Sequence, residues 1–409
     1  MKPWGPLYSV LFTTVAALAC PAAHAEGLDV LRYAISGGTP NLDARLRYEQ
    51  VDQGPPSLLA TADAVTFRLR LGYTTGKWNA TDISAEFENT SSLFGESYNS
   101  TSNGKVGYSV VADPVGGELN QFWIRNASLP GTVLKLGRQR LIFDNARFIG
   151  NVGWRSNEMT YDSVLATNTS LPKTQIDYAY LKNARTFLLT DFPMRGHVFH
   201  VTNTALSWLS LTGYAYLIDF TDVVAARQDT QSVGLRATGA APITPTIKAL
   251  YTAEYARQNK YGSAPSFVSA SYYLGEAGVA FAQAGCIKDL TAKLGYEVLG
   301  GNGAYGFQTP LATLHAFQGW ADVFLATPAT GIREYNATVS GTVEKVALFT
   351  RWHHFSADTG GMHYGNEFDV QATRPIIENF VVGAKYAYYT ASSLATDTRK
   401  AWLWLEYKF

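Results

Sequence analysis

The sequence "KAWLWLEYKF", residues 400–409, ends the chain and decides the fold. Counting back from the terminal phenylalanine, every second residue is apolar: Tyr407, Leu405, Leu403 and Ala401. Lys408, Glu406 and Lys400 occupy the other face. A period of two places successive side chains on opposite sides of a β-strand. The chain therefore ends in a strand with one apolar and one polar face.

The same alternation recurs along the chain, for example near 41–50, 64–75, 246–257 and 289–299. Hydrophobic residues make up 46% of the chain, aromatic residues 13% and charged residues only 16%, which is few for a water-facing surface. Beyond the N-terminus no run of 18 apolar residues occurs, so the sequence does not favour membrane-spanning helices. Alternating strands with an apolar face toward lipid fit this composition.

Eighteen candidate strands fall between residues 41 and 409, and sixteen would also fit because the sixth to eighth are weakly patterned. Connections after even-numbered strands are short, as in "GKWN" (76–79), "PG" (130–131), "APITP" (241–245) and "PIIE" (375–378). Connections after odd-numbered strands are longer, including 51–63, 91–118 and 144–157. This pattern predicts an all-β fold: a closed antiparallel transmembrane β-barrel of about 18 strands with both termini in the periplasm.

The N-terminus has the features of a secretory signal peptide over residues 1–25, which leaves 26–409 as the barrel. Export past the inner membrane predicts a bacterial outer-membrane location with lipid as a partner. Lipid attachment at Cys20 is an alternative, but Ala17 is small for the position three residues before it. Cleavage leaves Cys286 alone, so no internal disulfide is expected. The nearly neutral mature chain argues against nucleic-acid binding, and we expect no cofactor, metal site or catalytic residue.

In the predicted register Arg45, Arg47, Arg68 and Arg70 point inward from the first two strands. Nine of the nineteen arginines fall between residues 41 and 155, together with eleven acidic residues. One interpretation is a hydrated lumen that is stabilised by cross-strand ion pairs. The other is a ring of guanidinium groups that passes anions. The pattern alone favours neither interpretation.

Three stretches resemble the alginate export family of outer-membrane barrels: "LKLGRQRLIFDNARFIGNVGWR" (134–155), "FQTPLATLHAFQGWADVFLATPATGI" (307–332) and "DTRKAWLWLEYKF" (397–409). The resemblance implies an anion-selective, arginine-rich constriction that exports an anionic polysaccharide, with periplasmic secretion partners. On this basis Arg138 and Arg140 end the fifth strand, and Arg147 and Arg155 follow it. The candidate pore-lining residues are Arg45, Arg47, Arg68, Arg70, Arg138, Arg140, Arg147 and Arg155.

The segment 300–330 should be an external loop, yet its residues 311–326 contain one acid and many apolar groups. Such a segment exposed to water would promote association. We expect it to fold into or over the mouth of the barrel and to narrow the channel. The alternative is that 311–326 forms further membrane strand.

Two other functions remain open beside export: an uptake porin for small organic anions, and a barrel hydrolase. The hydrolase would use His353 and His354 with Ser356 and Asp358. Adjacent residues of a strand point to opposite faces, so the two histidines cannot form one compact site by themselves. We therefore expect no enzymatic activity.

Overall fold

The computed structural model describes residue 32 and residues 34–222 and 229–409; the predicted signal peptide lies outside this part of the chain. Within it the chain forms one 18-stranded sheet. The strands are β1 (Thr39–Gln53), β2 (Ala62–Thr74), β3 (Thr81–Ser97), β4 (Gly116–Asn126), β5 (Thr132–Gln139), β6 (Thr160–Asn168), β7 (Thr174–Arg185), β8 (Asp191–Leu206), β9 (Leu209–Phe220), β10 (Thr230–Thr244), β11 (Ile247–Lys260), β12 (Ser269–Ala284), β13 (Ile287–Leu299), β14 (Ile332–Val343), β15 (Val346–Ser356), β16 (His363–Ile377), β17 (Phe380–Ala391) and β18 (Thr398–Lys408).

Each strand pairs antiparallel with its neighbours in sequence, and β1 pairs with β18 to close the barrel. At this seam the backbone N–H of Leu42 donates to Phe409 O, and the Phe409 N–H donates to Leu42 O. Closure leaves no strand edge with unpaired backbone N–H and C=O groups. Lipid could not supply hydrogen bonds to such groups. The predicted closed antiparallel barrel of about 18 strands is confirmed. It is the fold of a bacterial outer-membrane protein.

The two faces of each strand differ as the alternation predicts. On β18, Leu403 is 58% exposed on the outer face, whereas its neighbour Trp402 is 1% exposed and points inward. On β2, Leu71 is on the outer face, and Arg68 and Arg70 are buried inside. The outer wall is therefore apolar and the inner wall carries the charges.

The connections also differ between the two ends of the barrel. At one end, which we call the turn end, β-strands are joined by tight turns at 207–208, 245–246, 285–286, 344–345 and 378–379. At the other, the loop end, the long connections 98–115, 140–159 and 300–331 leave the wall. The sequence predicts both termini at the turn end, on the periplasmic side.

Two of the long connections fold into the lumen. Phe148 from 140–159 and Phe307 from 300–331 pack against Tyr272 of the wall, with ring centroids 5.5 and 5.6 Å away. Connection 300–331, all of which is described, holds one 3₁₀ turn at Leu314–Ala316 and no named strand. Residues 311–326 are therefore a loop rather than strand. No described helix is long and apolar enough to cross a membrane.

Candidate functional site

Two cavities lie in the lumen beside the wall formed by β1, β2 and β18. The inner cavity, about 380 Å³, lies toward the turn end and is lined by Asp43, Arg68, Arg70 and Phe409 among others. The outer cavity, about 140 Å³, lies toward the loop end, beside Val51 and Thr398. The two cavities share no lining residue. We call the group of residues between them the partition.

The partition is formed by residues 153–155 of the connection 140–159. Gly153 lines the inner cavity and Arg155 lines the outer one, so Trp154 stands between them. The segment is a tight turn, since the N–H of Arg155 donates to Val152 O at 3.1 Å and Val152 has a φ of 52°. The tip of this turn projects across the lumen.

Arg45 and Arg47 of β1 hold the tip of this turn. Arg45 Nη2 donates to Trp154 O at 3.0 Å and to Arg155 O at 2.9 Å, and Arg47 Nη1 donates to Trp154 O at 2.6 Å. Arg47 also pairs with Asp113 and Glu49. Among the described residues, no carboxylate pairs with Arg45, and its Nε has no hydrogen-bond acceptor. Arg45 is therefore a buried cation whose visible partners are backbone carbonyls.

The Trp154 ring is enclosed by polar and aromatic groups. It stacks on His315 at a centroid distance of 5.2 Å, and Lys385 Nζ lies 4.0 Å from its centroid. Lys385 Nζ donates to His315 Nε2 at 2.8 Å, which assigns the ring proton to Nδ1, 2.7 Å from Asp322 Oδ1. Burial lowers the pKa of His315 to about 3, so the ring is neutral near pH 7. A neutral histidine thus joins the loop 300–331 to the wall at Lys385.

Ion pairs balance the arginines of the inner cavity. Arg68 pairs with Asp43 and Glu406, and Arg70 pairs with Glu88. Arg140 reaches the same cavity from 140–159.

Arg140 pairs with Glu86 of β3 and with Glu158 of its own connection. Burial acts to raise the pKa of Glu158, but Arg70 and Arg140 override it and hold the pKa at about 2. Glu158 is therefore ionised at neutral pH and fixes two guanidinium groups.

Asp322 pairs with two cations in the outer cavity, as Glu158 does in the inner one. Its Oδ2 accepts from Arg155 Nη2 at 2.9 Å and from Lys400 Nζ at 2.7 Å. Burial acts to raise the pKa of Asp322, but His315, Lys400 and Arg155 hold it well below its usual range. The carboxylate thereby ties 140–159 and 300–331 to β18.

An acidic part of the wall also anchors loop 300–331. Gln318 donates to Glu297 at 2.6 Å and to Glu334 at 3.2 Å. The N–H groups of Trp320 and Ala321 donate to Asp369 and Glu367, respectively. The loop therefore covers buried carboxylates of β13, β14 and β16.

Six of the eight predicted arginines lie at the partition or at one of the two cavities. Arg45 and Arg47 hold the partition, Arg155 lines the outer cavity, and the inner cavity is lined by Arg68, Arg70 and Arg140. Two others differ from the expectation.

Arg138 lies on the outer face and not in the pore. In the sheet it stands opposite Phe122, which is 54% exposed, and it shares a face with Leu134 and Leu136. Its guanidinium pairs with Asp162 on the neighbouring strand at 2.7 Å. The alternation of β5 directs the arginine outward.

Arg147 is an anchor and lines neither cavity. It is 1% exposed, and its Nε donates to Glu297 at 2.7 Å. Its Nη1 donates to Thr309 and its Nη2 donates to Gln318, both of which belong to loop 300–331. This arginine joins the two inward-folded connections to the wall.

Three site residues were absent from the predicted set: Trp154, Lys385 and Lys400. Lys385 and Lys400 occupy inward positions in alternating strands, so the pattern contained the signal for both. Trp154 lies in a connection, and no period of the sequence could place it. Its position depends on contacts with β1 and with loop 300–331.

The candidate hydrolase residues do not form one group. His353 is buried inside and contacts Glu334 and Asp369, whereas His354 faces outward and contacts Asn366. Ser356 contacts the carbonyl of Arg333. Within the described ranges, no group of three or more His, Cys, Asp or Glu residues could hold a metal ion.

Comparison with known proteins supports the fold. No family model and no curated protein matches the chain. The solved structure of Acinetobacter baumannii OccAB2 matches with a TM-score of 0.72 and 14% identity, covering 92% of this chain and 99% of that one. Pseudomonas aeruginosa OccK9 (OpdG) matches with a TM-score of 0.70 and 11% identity over the same shares. OpdK of the same organism, solved with vanillate, matches with a TM-score of 0.67 and 11% identity, again covering 92% of this chain and 99% of that one.

The predicted membership of the alginate export family is wrong. The barrel matches OccAB2, OpdG and OpdK over nearly its whole length instead. Two of the stretches that carried the resemblance are the inward-folded connections, and the third is the closing strand. Inward-folded connections and a closing strand do not by themselves identify an exporter.

Proposed function

We propose that this protein is a passive outer-membrane channel that takes up small organic anions. The observation that carries the proposal is Arg45, a buried guanidinium on the lumen wall with no carboxylate partner among the described residues. A charge in that position favours an anion that brings its own acceptors. Arginine suits a carboxylate because its planar fork can donate two parallel hydrogen bonds.

The size of the cavities favours a small solute over a polymer. The inner cavity of about 380 Å³ falls in the range that holds small ligands, and the partition separates it from the smaller outer cavity. A polysaccharide would need an open path through both at once. OpdK, which shares the fold, was solved with vanillate, a small aromatic carboxylate.

The ion pairs of the lumen fit transport as well as binding. Most arginines along the path share acidic partners, which moderate the attraction that each one exerts on a solute. Conduction requires sites that are attractive enough to enter and weak enough to leave. The same proposal makes the protein a channel and not an enzyme.

Flux into proteoliposomes tests this function. We expect radiolabelled benzoate to enter liposomes that contain the protein faster than protein-free liposomes, and a uronate oligomer to be excluded. Benzamide, which has the same ring without the charge, is the matched control. Because benzamide also crosses lipid unaided, each influx is taken after subtraction of the rate into protein-free liposomes, and the protein should add less to the influx of benzamide than to that of benzoate. An equal protein-dependent increase in the influx of benzoate and of benzamide, or passage of the oligomer, would reject the proposal.

A further inference from the structure

The turn 152–155 takes up hydrogen-bond donors of Arg45 and Arg47. Two carbonyl oxygens, Trp154 O and Arg155 O, accept hydrogen bonds from Arg45 Nη2, and Trp154 O also accepts from Arg47 Nη1. Neutral carbonyl oxygens thus accept hydrogen bonds from guanidinium N–H groups that could also donate to a carboxylate. A carboxylate accepts more strongly from a guanidinium than a carbonyl does, because the bond is then assisted by charge on both partners.

We propose that the tip of this turn is a gate that an incoming carboxylate opens by displacing the Trp154 and Arg155 carbonyls from Arg45 and Arg47. This inference rests on the proposed function and adds the carboxylate subsite and the step that opens the path. The solute pairs with Arg45, and the freed tip moves aside and joins the two cavities. After the solute leaves, the carbonyls return to the guanidinium groups and close the path.

The surroundings of the turn allow the tip to move while its base stays in place. On one side of the base, Asn151 donates to Glu158 at 2.8 Å, and the Val152 N–H donates to Thr313 Oγ1 at 3.1 Å. On the other side the Arg155 side chain is held by Glu49 and Asp322. At the tip, Trp154 is hydrogen-bonded through its carbonyl to Arg45 and Arg47. Its ring packs against His315, Trp402 and Trp404 without a hydrogen bond, since Nε1 has no acceptor among the described residues.

The net exchange is favourable for an anion and unfavourable for a neutral solute. In the closed form the charge of Arg45 faces carbonyl dipoles, and its Nε lacks an acceptor. A bound carboxylate supplies a full negative charge to that group. A neutral solute offers acceptors no stronger than the carbonyls it would displace, so it gains nothing by opening the turn.

Single-channel recording in planar bilayers tests the gate. In potassium chloride we expect wild-type openings to become severalfold more frequent when sodium benzoate is added, and to be unaffected by benzamide. Arg45→Gln should open more often without benzoate and lose the response to it. Trp154→Gly should raise the conductance in chloride alone, because the partition loses its side chain.

Arg138→Gln is the matched control, since this arginine lies on the outer face, and it should respond to benzoate as the wild type does. The gate is overturned if benzoate leaves the wild-type opening frequency unchanged, or if benzamide acts equally. If the variants do not insert into the bilayer, the effects of benzoate and benzamide on the wild-type opening frequency still test the gate. Failure of the proposed function has another signature: a channel without anion selectivity, even where Trp154→Gly raises its conductance.

Discussion

Arg45 and Arg138 show how one residue type serves two purposes in this barrel. Arg45 alternates inward on β1 and meets backbone carbonyls, whereas Arg138 alternates outward on β5 and meets Asp162. Residue patterning predicts the first correctly. The same patterning could also have predicted that Arg138 points outward, because Leu134 and Leu136 mark the outer face of β5. The inward assignment of Arg138 came from the resemblance of its motif and not from its phase in the strand.

Arg147 gives a prediction about stability at the scale of one residue. Replacing Arg147 by Met leaves Glu297 buried without its cation, and removing one member of such a pair typically costs about 3–5 kcal/mol. We expect urea to unfold this variant at lower concentration than the wild type. The double variant Arg147→Met with Glu297→Met should recover part of the loss. Equal stability of the wild type and the single variant would show that the pair does not hold the loops.

The pKa values of the inward connections predict how they respond to acid. The pKa of Glu158 is about 2 in the folded protein, below its ordinary value of 4.5. Its contribution to stability is therefore complete above pH about 4.5 and is lost as the pH falls through about 2. We expect the part of the change in chloride conductance that depends on Glu158, measured as the difference between the wild type and Glu158→Gln, to fall between about pH 4 and 2. A Glu158-dependent transition completed above pH 5 would contradict this assignment.

At the scale of elements, the strands were predictable and the ends of several were not. The sequence predicts turns near 241–245 and 375–378, but β10 and β16 continue through Pro242 and Pro375 to tighter turns. Both prolines lie at shifts in the strand register, where a missing N–H costs no ladder hydrogen bond. The inward path of the long connections depends on contacts between distant residues, which periodicity cannot reveal.

Deleting residues 311–326 tests the element that covers the acidic wall. The deletion removes Gln318 and Asp322 and exposes Glu334, Glu367 and Asp369 to the lumen. We expect larger single-channel conductance and weaker preference for anions, because carboxylates then line the path. Slower gel migration after heating serves as the check that the barrel still assembles. Assembled channels of unchanged conductance would show that the loop does not narrow the pore.

The whole molecule is a barrel whose lumen is unevenly filled. One side holds an apolar core of wall residues and inward loops, including Tyr214, Tyr272 and Phe307. The other side, along β1, β2 and β18, keeps the inner and outer cavities, which are lined by Arg68, Arg70, Arg140 and Arg155. Closure and strand number follow from alternation along the sequence. The uneven filling does not, since it depends on which wall each loop reaches.

The reversal potential of the wild-type channel in a potassium chloride gradient tests the central claim most directly. We expect chloride to be more permeant than potassium at 0.1 M salt, because the cations of β1 and β2 act on the path. Selectivity should weaken at 1 M, where the Debye length falls from about 10 Å to about 3 Å. A channel that prefers potassium, or that shows no preference at 0.1 M, would mean that these arginines are only structural partners of the neighbouring carboxylates.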